Sequence, residues 1–229
     1  MDMETQTYDS CDLIIPAQLA TPNMRRLKSD YGFDTLAERK SCLEIARLAP
    51  GSRVLDVGSG TGWMALVAAC AGYHVVSVDV DYKALLEAEN TVKQCGDTIA
   101  ARIEFKEASA SSLPFEDEQF DGVITFETIH HLPDCEMALA EMCRVTRSGG
   151  PIVIADLNER GLKAVRETSL ALNTGPHEEN SCQLPAIERM LRACAVVERH
   201  DLDFVGVFVV RNDAPCRKLD ATQHRSRTE

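Results

Sequence analysis

The sequence lacks long apolar runs, closely spaced cysteines and any excess of glycine or proline, and each absence excludes a class of protein. No hydrophobic stretch approaches the roughly 18 residues that a membrane-spanning helix needs, so we expect no membrane association. Only 13 of the 229 residues are glycine and 9 are proline, while 45% are apolar. This composition is typical of a globular chain with a full core and argues against disordered, collagen-like and repeat proteins.

Basic residues are also in deficit, with 24 Lys and Arg against 36 Asp and Glu, which gives a net charge of −12 at pH 7. Such a chain repels phosphate backbones, and its basic residues are scattered rather than clustered. Nucleic acid is therefore disfavoured as a partner, and a small-molecule substrate is expected. The oligomeric state stays open, with a homodimer as one option.

The nine cysteines form no CxxC pair and no zinc-type spacing with histidine, and most of them fall in apolar helical patterns, such as Cys70 and Cys194. We interpret them as reduced residues that pack in the core of a cytoplasmic protein. Thiolates also favour soft ions such as arsenite, but the scattering of these residues favours packing over such a site.

Short β-rich runs alternate with helical runs from residue 53 onward, which is typical of successive βαβ units. Several of the β-rich runs are almost continuously apolar, as expected of strands covered on both faces. The sequence therefore predicts an α/β fold with a doubly wound, mostly parallel sheet. An amphipathic helix is predicted at 33–50, two later helices at 158–173 and 184–195, and two antiparallel strands at 195–212.

The sharpest motif, VLDVGSGTG at residues 54–62, lies between a predicted strand and a predicted helix. Its three glycines allow a tight turn that brings bare backbone against a ligand at a helix N-terminus. Asp79 closes the next predicted strand, where a carboxylate can accept hydrogen bonds from both hydroxyls of an adenosine ribose. Its alternative role is to cap the helix that follows. We favour ribose binding, and hence an adenosine-containing cofactor.

Two residues around this turn discriminate between cofactors. A dinucleotide fingerprint needs a glycine where this chain has Trp63, whose bulk obstructs the close approach of a pyrophosphate. Asp56 precedes the turn, and its charge is unfavourable beside a pyrophosphate but favourable beside the ammonium or sulfonium of S-adenosylmethionine. Both residues favour a methyl donor over a nicotinamide or flavin nucleotide.

The glycine motif, the VDVD strand end and the segments LPFEDEQFDGVITFETIHHL and RVTRSGGPIVIADL follow one another between residues 50 and 156. This ordered set resembles the motifs of class I S-adenosylmethionine-dependent methyltransferases, in particular the group that includes the ubiquinone and menaquinone biosynthesis methyltransferases. The resemblance implies a Rossmann-like sheet of seven strands whose last strand is antiparallel. It also implies S-adenosyl-L-methionine as the cofactor.

Carried over by position, the resemblance assigns Asp56 and the glycine turn to the methionine moiety, Asp79 to the ribose and Val80 to one adenine face. Where relatives often have an Asp for the adenine amino group, this chain has Ser109, which leaves the Ser109 side chain and the Ala110 backbone as candidates. The predicted cofactor-binding residues are Asp56, Gly58, Ser59, Gly60, Gly62, Asp79, Val80, Ser109, Ala110 and Phe126.

Phe126 and Glu127 end the fourth predicted strand, at the family's position beside the methionine amino group and the methyl that is transferred. Glu127, His130 and His131 fall at the carboxyl edge of the sheet and are the candidate catalytic bases for an acceptor hydroxyl or amine. Each has an alternative role as a surface, packing or capping residue. An acceptor that is already an anion needs no base.

His177, Glu178 and Glu179 combine a ring nitrogen with carboxylates, but a metal site needs further ligands, so we interpret them as a solvated loop and predict no metal. Residues 1–32 are predicted to form a lid, and residues 157–195 a helical insert on the substrate side of a methyltransferase domain at 33–212. A polar tail follows at 213–229. Apolar residues in the lid and insert favour a small, partly apolar acceptor: Leu13, Ile14, Ile15, Leu170 and Leu172.

Together these features predict a methyltransferase that moves a sulfonium methyl group to a small molecule by in-line displacement. One alternative is a regulatory subunit that binds the cofactor without turnover, because Ser109 departs from the family's pattern. A nucleotide-dependent oxidoreductase is the other alternative, and Trp63 argues against it.

Overall fold

The computed structural model describes residues 20–177, 180 and 182–211, which are built around one seven-stranded sheet in the order β3-β2-β1-β4-β5-β7-β6. Strand β7 pairs antiparallel with both β5 and β6, and all other pairs are parallel. The predicted α/β class, doubly wound sheet and reversed last strand are therefore confirmed. The strands are β1 (Arg53–Val57), β2 (His74–Asp79), β3 (Ile103–Glu107), β4 (Gly122–Phe126), β5 (Pro151–Leu157), β6 (Val197–Asp201) and β7 (Val205–Arg211).

Helices connect most of these strands, and the three predicted outside the central repeat correspond to α2, α7 and α8. The helices are α1 (Pro22–Arg26), α2 (Thr35–Ala46), α3 (Trp63–Cys70), α4 (Tyr82–Lys93), α5 (Asp97–Ala100), α6 (Cys135–Val145), α7 (Glu159–Leu172) and α8 (Leu184–Cys194). A π-helical turn (Leu27–Tyr31) extends α1, and a 3₁₀ turn (Ile129–His131) follows β4. Sequence analysis missed these turns, α1 and α5, because such short elements leave no readable period.

The sheet carries a hydrophobic core on each face, because successive side chains of a strand point to opposite sides. In β1, Val54 packs with residues of α2, α3 and α7, whereas Leu55 and Val57 pack with residues of α6 and α8. The strands covered on both faces are the nearly continuous apolar runs of the sequence. This double burial fixes the sheet and exposes only its ends to a ligand.

Aspartate and asparagine side chains set where several helices begin. Asp34, Asp134 and Asn158 each accept a hydrogen bond from a backbone N–H in the first turn of the helix that follows. Asp81 does the same for α4 by accepting from the backbone of Lys83. The N-cap of α4 is therefore Asp81, which satisfies a free N–H of the helix. Asp79 is therefore not the N-cap of this helix.

One pair of cysteines contradicts the prediction from the sequence. Cys135 at the start of α6 and Cys182 just before α8 form a disulfide, with Cα atoms 5.9 Å apart. The prediction of reduced cysteines is therefore wrong for this pair, whereas Cys42 and Cys95 are free. The two bonded residues are separated by 47 positions, so no local spacing could have revealed them.

Several predictions fall on residues outside the described part of the chain: 1–19 of the lid with Leu13, Ile14 and Ile15, the carboxylates of Glu178 and Glu179, and the tail at 213–229. The described end of the lid packs on α7, where the Tyr31 hydroxyl donates to Glu167 Oε2 at 2.8 Å. Among the described residues, no helix combines the length and apolar character needed to cross a membrane. The domain boundaries remain predictions.

Candidate functional site

A cavity of about 560 Å³ opens above the carboxyl ends of β1, β2 and β4, where doubly wound sheets bind ligands. Five segments contribute to its wall: α2, the β1–α3 turn, the end of β2, the loop after β3, and the end of β4 with the turn that follows it. The predicted cofactor residues that line it are Gly58, Ser59, Gly60, Asp79, Val80, Ser109, Ala110 and Phe126. Glu127 and His131 line it as well.

The glycine turn is held in a conformation that side chains would prevent. Gly58 has φ +87°, and a Cβ there would lie 2.2 Å from the Thr128 side chain after β4. Gly62 has φ +84°, and a Cβ there would lie 2.8 Å from the Cβ of Ala88 in α4. Gly58 therefore lets the turn contact the end of β4, whereas Gly62 lets α3 approach α4. Gly62 does not line the cavity, and its predicted contact with the cofactor stays a prediction.

Asp79 joins the turn to the end of β2. Its Oδ2 accepts a hydrogen bond from the Gly60 backbone N–H at 2.8 Å, and its Oδ1 accepts from the Asp81 N–H at 3.0 Å. A carboxylate oxygen accepts two hydrogen bonds, so both oxygens retain capacity on the cavity side. Val80 beside it is 67% exposed, which is unusual for a large apolar residue and suits the face of a flat ring.

Asp56 lies behind the turn and not in the cavity wall. Its Oδ2 accepts from the Ser77 hydroxyl at 2.6 Å, and the Ser77 and Ser59 hydroxyls are 2.6 Å apart. Asp56 is 1% exposed, and burial raises the pKa of its carboxyl to about 7. The sequence assigned this carboxylate to the methionine moiety, but the structure connects it to the turn through two serines. Asp56 thus supports the turn from behind, and its assignment to the methionine moiety stays a prediction.

A half-buried pair of opposite charges closes the other end of the cavity, with 12% of the Arg39 side chain and 23% of the Glu127 side chain exposed. Glu127 follows β4 with φ +53°, and its Oε2 lies 3.6 Å from a terminal guanidinium nitrogen of Arg39 in α2. The Arg39 guanidinium also stacks over the Phe126 ring at 4.1 Å. Desolvation raises the pKa of Glu127 and lowers that of Arg39. Within the described residues, Glu127 Oε1 and Arg39 Nε have no hydrogen-bond partner.

Sequence analysis missed Arg39. One arginine in an amphipathic helix carries no signal by itself, and this one becomes a site residue because α2 packs beside the end of β4. Its neighbours Phe126 and Glu127 were candidate site residues in the sequence, and both line the cavity at the end of β4. Leu170 of the predicted acceptor pocket is 75% exposed on α7 and outside the cavity wall.

The two histidines after β4 occupy different environments. His131 lines the cavity, whereas His130 is 3% exposed and does not. His130 instead contacts Asp156 of β5 and lies with its Nε2 3.0 Å from the Nε2 of His177. The interpretation of His177 as part of a solvated loop is therefore wrong, because its ring is half-buried against the end of the sheet.

The sheet order, the reversed β7 and a glycine turn at a cavity above β1 define the class I methyltransferase fold. A solved structure of a SAM-dependent methyltransferase from Aquifex aeolicus shares this fold, with a TM-score of 0.60 at 18% identity over 89% of this chain and 97% of that one. At such low identity the likeness concerns the fold alone.

Residues 55–154 match the model of the family described as "Methyltransferase domain". Methyltransferase GfsG of Streptomyces halstedii is 34% identical over 198 residues, which cover 79% of this chain and 68% of GfsG. The chain belongs to the methyltransferase-domain family. A demethylmenaquinone methyltransferase of Clavibacter sepedonicus is 34% identical over 135 residues, covering 59% of this chain and 53% of that protein. The chain spans only 38% to 53% of the length of several other curated relatives.

The buried carboxyl behind the turn predicts a pH-dependent stability. Because the folded state holds the pKa of Asp56 at about 7, above its unfolded value, this group favours folding at low pH and loses that contribution as pH rises from about 4 to 7, by up to about 4 kcal/mol. Asp56→Asn stays neutral, so we expect urea unfolding to show a smaller loss of stability between pH 5 and pH 8 than in the unmodified chain.

Asp97→Asn is the matched control, because Asp97 is exposed. Its loss of stability between the two pH values should equal that of the unmodified chain. An Asp56→Asn variant with the same loss as both would contradict the assignment.

Proposed function

We propose that this chain is an S-adenosylmethionine-dependent methyltransferase that acts on a small molecule. The observation that carries the proposal is one cavity with two chemically different ends. At one end, the glycine turn, Asp79 and Val80 suit an adenosine. At the other, Arg39 and Glu127 offer one half-buried charge of each sign, next to the Phe126 ring.

The charge pair fits the methionine part of the cofactor. An amino acid zwitterion carries one carboxylate and one ammonium, and it would complement Arg39 and Glu127 respectively. The pair is separated by 3.6 Å, and each partner has a polar atom without a hydrogen-bond partner among the described residues. Such atoms are costly in a protein interior, and a bound zwitterion would satisfy both.

When bound, S-adenosylmethionine supplies an electrophilic methyl group on a cationic sulfur. The chain's own contribution is to orient it: the turn and Asp79 fix the nucleoside, and Arg39 with Glu127 fixes the amino acid. Phe126 and Trp63 keep this part of the cavity apolar and exclude water. Alignment of a bound donor and acceptor can lower the barrier by several kcal/mol (about 7 or more in favourable cases).

Residues beside the methyl position are candidates to take a proton from the acceptor. His131 and Glu127 both line the cavity, and the raised pKa of Glu127 makes its carboxylate a stronger base than an exposed one. His130, the third predicted base, lies behind the wall and does not reach the cavity directly. We therefore assign the role of base to His131 or Glu127.

Two observations support a small-molecule acceptor. The net charge of −12 disfavours nucleic acid as the methyl acceptor, and the name of the Clavibacter relative specifies a quinone precursor. The alternative of a regulatory subunit without turnover rests on Ser109, which stands where relatives often have an Asp. Its side chain accepts from the Ser111 backbone N–H at 3.3 Å beside the cavity.

The ribose assignment predicts a loss of affinity in Asp79→Asn. An amide keeps the size of the side chain but replaces one acceptor oxygen with a donor, so we expect binding of S-adenosylmethionine to weaken by about tenfold or more (a lost charged hydrogen bond is typically about 1.5–3 kcal/mol). Asp81→Asn is the control, because it preserves a helix cap outside the cavity. Isothermal titration calorimetry with S-adenosylmethionine, S-adenosylhomocysteine and NADH provides the measurement.

Unchanged affinity in Asp79→Asn would refute the ribose assignment. NADH binding in the absence of S-adenosylmethionine binding would support the oxidoreductase alternative instead.

The zwitterion assignment predicts that Arg39→Met discriminates between two ligands. S-adenosylhomocysteine has the amino acid group, whereas 5′-methylthioadenosine has the same nucleoside without it. We expect the variant to bind the first about tenfold or more weakly and the second with unchanged affinity, because only the first loses a charged partner. Equal weakening for both ligands would show that Arg39 acts on the cavity as a whole.

Turnover distinguishes an enzyme from a regulatory subunit. The chain is incubated with S-adenosylmethionine labelled in the methyl group and with a metabolite extract, and labelled products are separated by mass. We expect at least one labelled small molecule, formed in lower yield with Asp79→Asn when S-adenosylmethionine is below saturation. Binding of the cofactor with no labelled product across the extract would favour the regulatory subunit.

A further inference from the structure

Three histidine rings converge at the carboxyl edge of the sheet, beside the cavity. His130 and His131 lie on the 3₁₀ turn after β4, and His177 lies on the segment between α7 and α8. Their ligand nitrogens all lie within 4.8 Å of one another, and the Nε2 atoms of His130 and His177 are 3.0 Å apart. Zinc holds histidine nitrogens at about 2.0–2.1 Å, which separates them by about 3.3 Å in a tetrahedron. The His130–His177 pair is therefore near the spacing that one ion requires, and the nitrogen of His131 lies within 4.8 Å of both.

A buried carboxylate orients the innermost ring. Asp156 Oδ1 lies 2.5 Å from Nδ1 of His130, and Asp156 Oδ2 accepts from the His130 backbone N–H at 3.0 Å. Because this carboxylate accepts a hydrogen bond from Nδ1–H, the neutral ring of His130 presents the Nε2 lone pair to the other two rings. A carboxylate that binds the far nitrogen of a histidine in this way is a regular feature of metal sites, where it fixes the tautomer and strengthens the ligand.

A hydrogen bond between His130 and His177 is the competing explanation of their short contact. It needs an N–H on one Nε2 and a lone pair on the other, and it accounts for 3.0 Å without an ion. It does not account for the third ring, since His131 approaches the same two rings from the cavity wall. Convergence of all three nitrogens favours a shared ligand.

The segment that carries His177 is fixed to the turn that carries the other two. The Asn180 backbone N–H donates to the His130 carbonyl and its side-chain amide donates to the His131 carbonyl, both at 2.6 Å. The disulfide between Cys135 and Cys182 attaches the same segment to α6. These contacts lower the entropy lost when the three rings bind one ligand.

We propose that His130, His131 and His177 bind one divalent transition metal ion of the zinc type, with a fourth position open to the cavity. Three imidazoles with one open position are typical of catalytic zinc, and imidazole also suits cobalt, nickel and iron. Neutral ligands leave the full positive charge of the ion available at the open position. The site is on the cavity wall through His131.

This ion gives the proposed methyltransferase a substrate class, and that part of the inference rests on the proposed function. An acceptor hydroxyl at the open position loses its proton to bulk water more readily, because the cation stabilises the oxyanion that remains. The oxyanion is the nucleophile, so no side chain has to act as the base, and His131 is in this arrangement a ligand of the ion instead of the base. The acceptor is therefore an alcohol or a phenol.

Zinc binding is measured first without any cofactor. The full chain, treated with a chelator and with its disulfide kept oxidised, is titrated with Zn²⁺ alone by calorimetry. We expect one ion per chain, with His131→Ala and His177→Ala each weakening binding by more than about tenfold, and Asp156→Asn by about 10- to 100-fold. His74→Ala is the matched control, because His74 is an exposed histidine at the far end of β2, and it should bind as tightly as the unmodified chain.

Titration with Co²⁺ identifies the ligands. Nitrogen ligation gives the visible absorption of a tetrahedral ion without a sulfur-to-cobalt charge-transfer band, whereas the free cysteines would add that band. Absence of a bound ion, or binding that is unchanged in both His131→Ala and His177→Ala, would overturn the metal site and leave the hydrogen-bonded histidine pair.

These measurements distinguish a failure of the metal site from a failure of the proposed methyltransferase function. Zinc binding without S-adenosylmethionine binding would keep the metal site and refute the methyltransferase. If both bind, the labelled products formed with and without Zn²⁺ are compared: a labelled alcohol or phenol whose yield increases with Zn²⁺ supports the substrate class, and a yield independent of Zn²⁺ refutes it.

Discussion

The pairing of β1 with β2 on one side and β4 on the other is the constraint on which the site depends. Because these central strands are parallel and in fixed register, their carboxyl ends meet at one edge. That edge brings together the glycine turn, Asp79 and the Phe126–Glu127 pair, which are far apart in sequence. Gly58 shows how close this approach is, since any side chain there would collide with Thr128. The cavity exists because two strand ends contact each other through bare backbone.

Buried charge is concentrated at this edge. Asp56 and Glu127 both have raised pKa values, and Arg39 a lowered one, because burial disfavours the charged forms. Ionisable groups with pKa values shifted by desolvation are concentrated at functional sites, which is the physical reason to look for a ligand there. The two carboxylates nevertheless act differently. Asp56 is connected to the turn through Ser77 and Ser59, whereas Glu127 faces the cavity together with Arg39.

The histidine cluster depends on contacts between distant segments. His130 and His177 come from different connections, and Asp156 comes from β5. Asn180 and the Cys135–Cys182 disulfide hold the segment that carries His177 in place. Helix or strand periodicity does not bring these partners within hydrogen-bonding range of one another. The spacing of the residues along the chain therefore did not predict that they form a cluster. The same holds for Arg39, which reaches Glu127 only because α2 packs beside β4.

The sequence by itself determined the α/β class, the alternation of strands and helices from residue 53 onward, and the place of the glycine turn and of the strand ends that line the cavity. It could do so because hydrophobic periodicity and glycine geometry are local, and because parallel strands place their ends on one edge. Tertiary structure decided which of those residues face the cavity. Asp56 and Gly62 lie behind the wall, and Arg39 of α2 lines it. Tertiary structure also joined His177 to His130 and Cys135 to Cys182. Those are contacts between segments, and their geometry follows from how helices pack on the sheet rather than from any spacing along the chain.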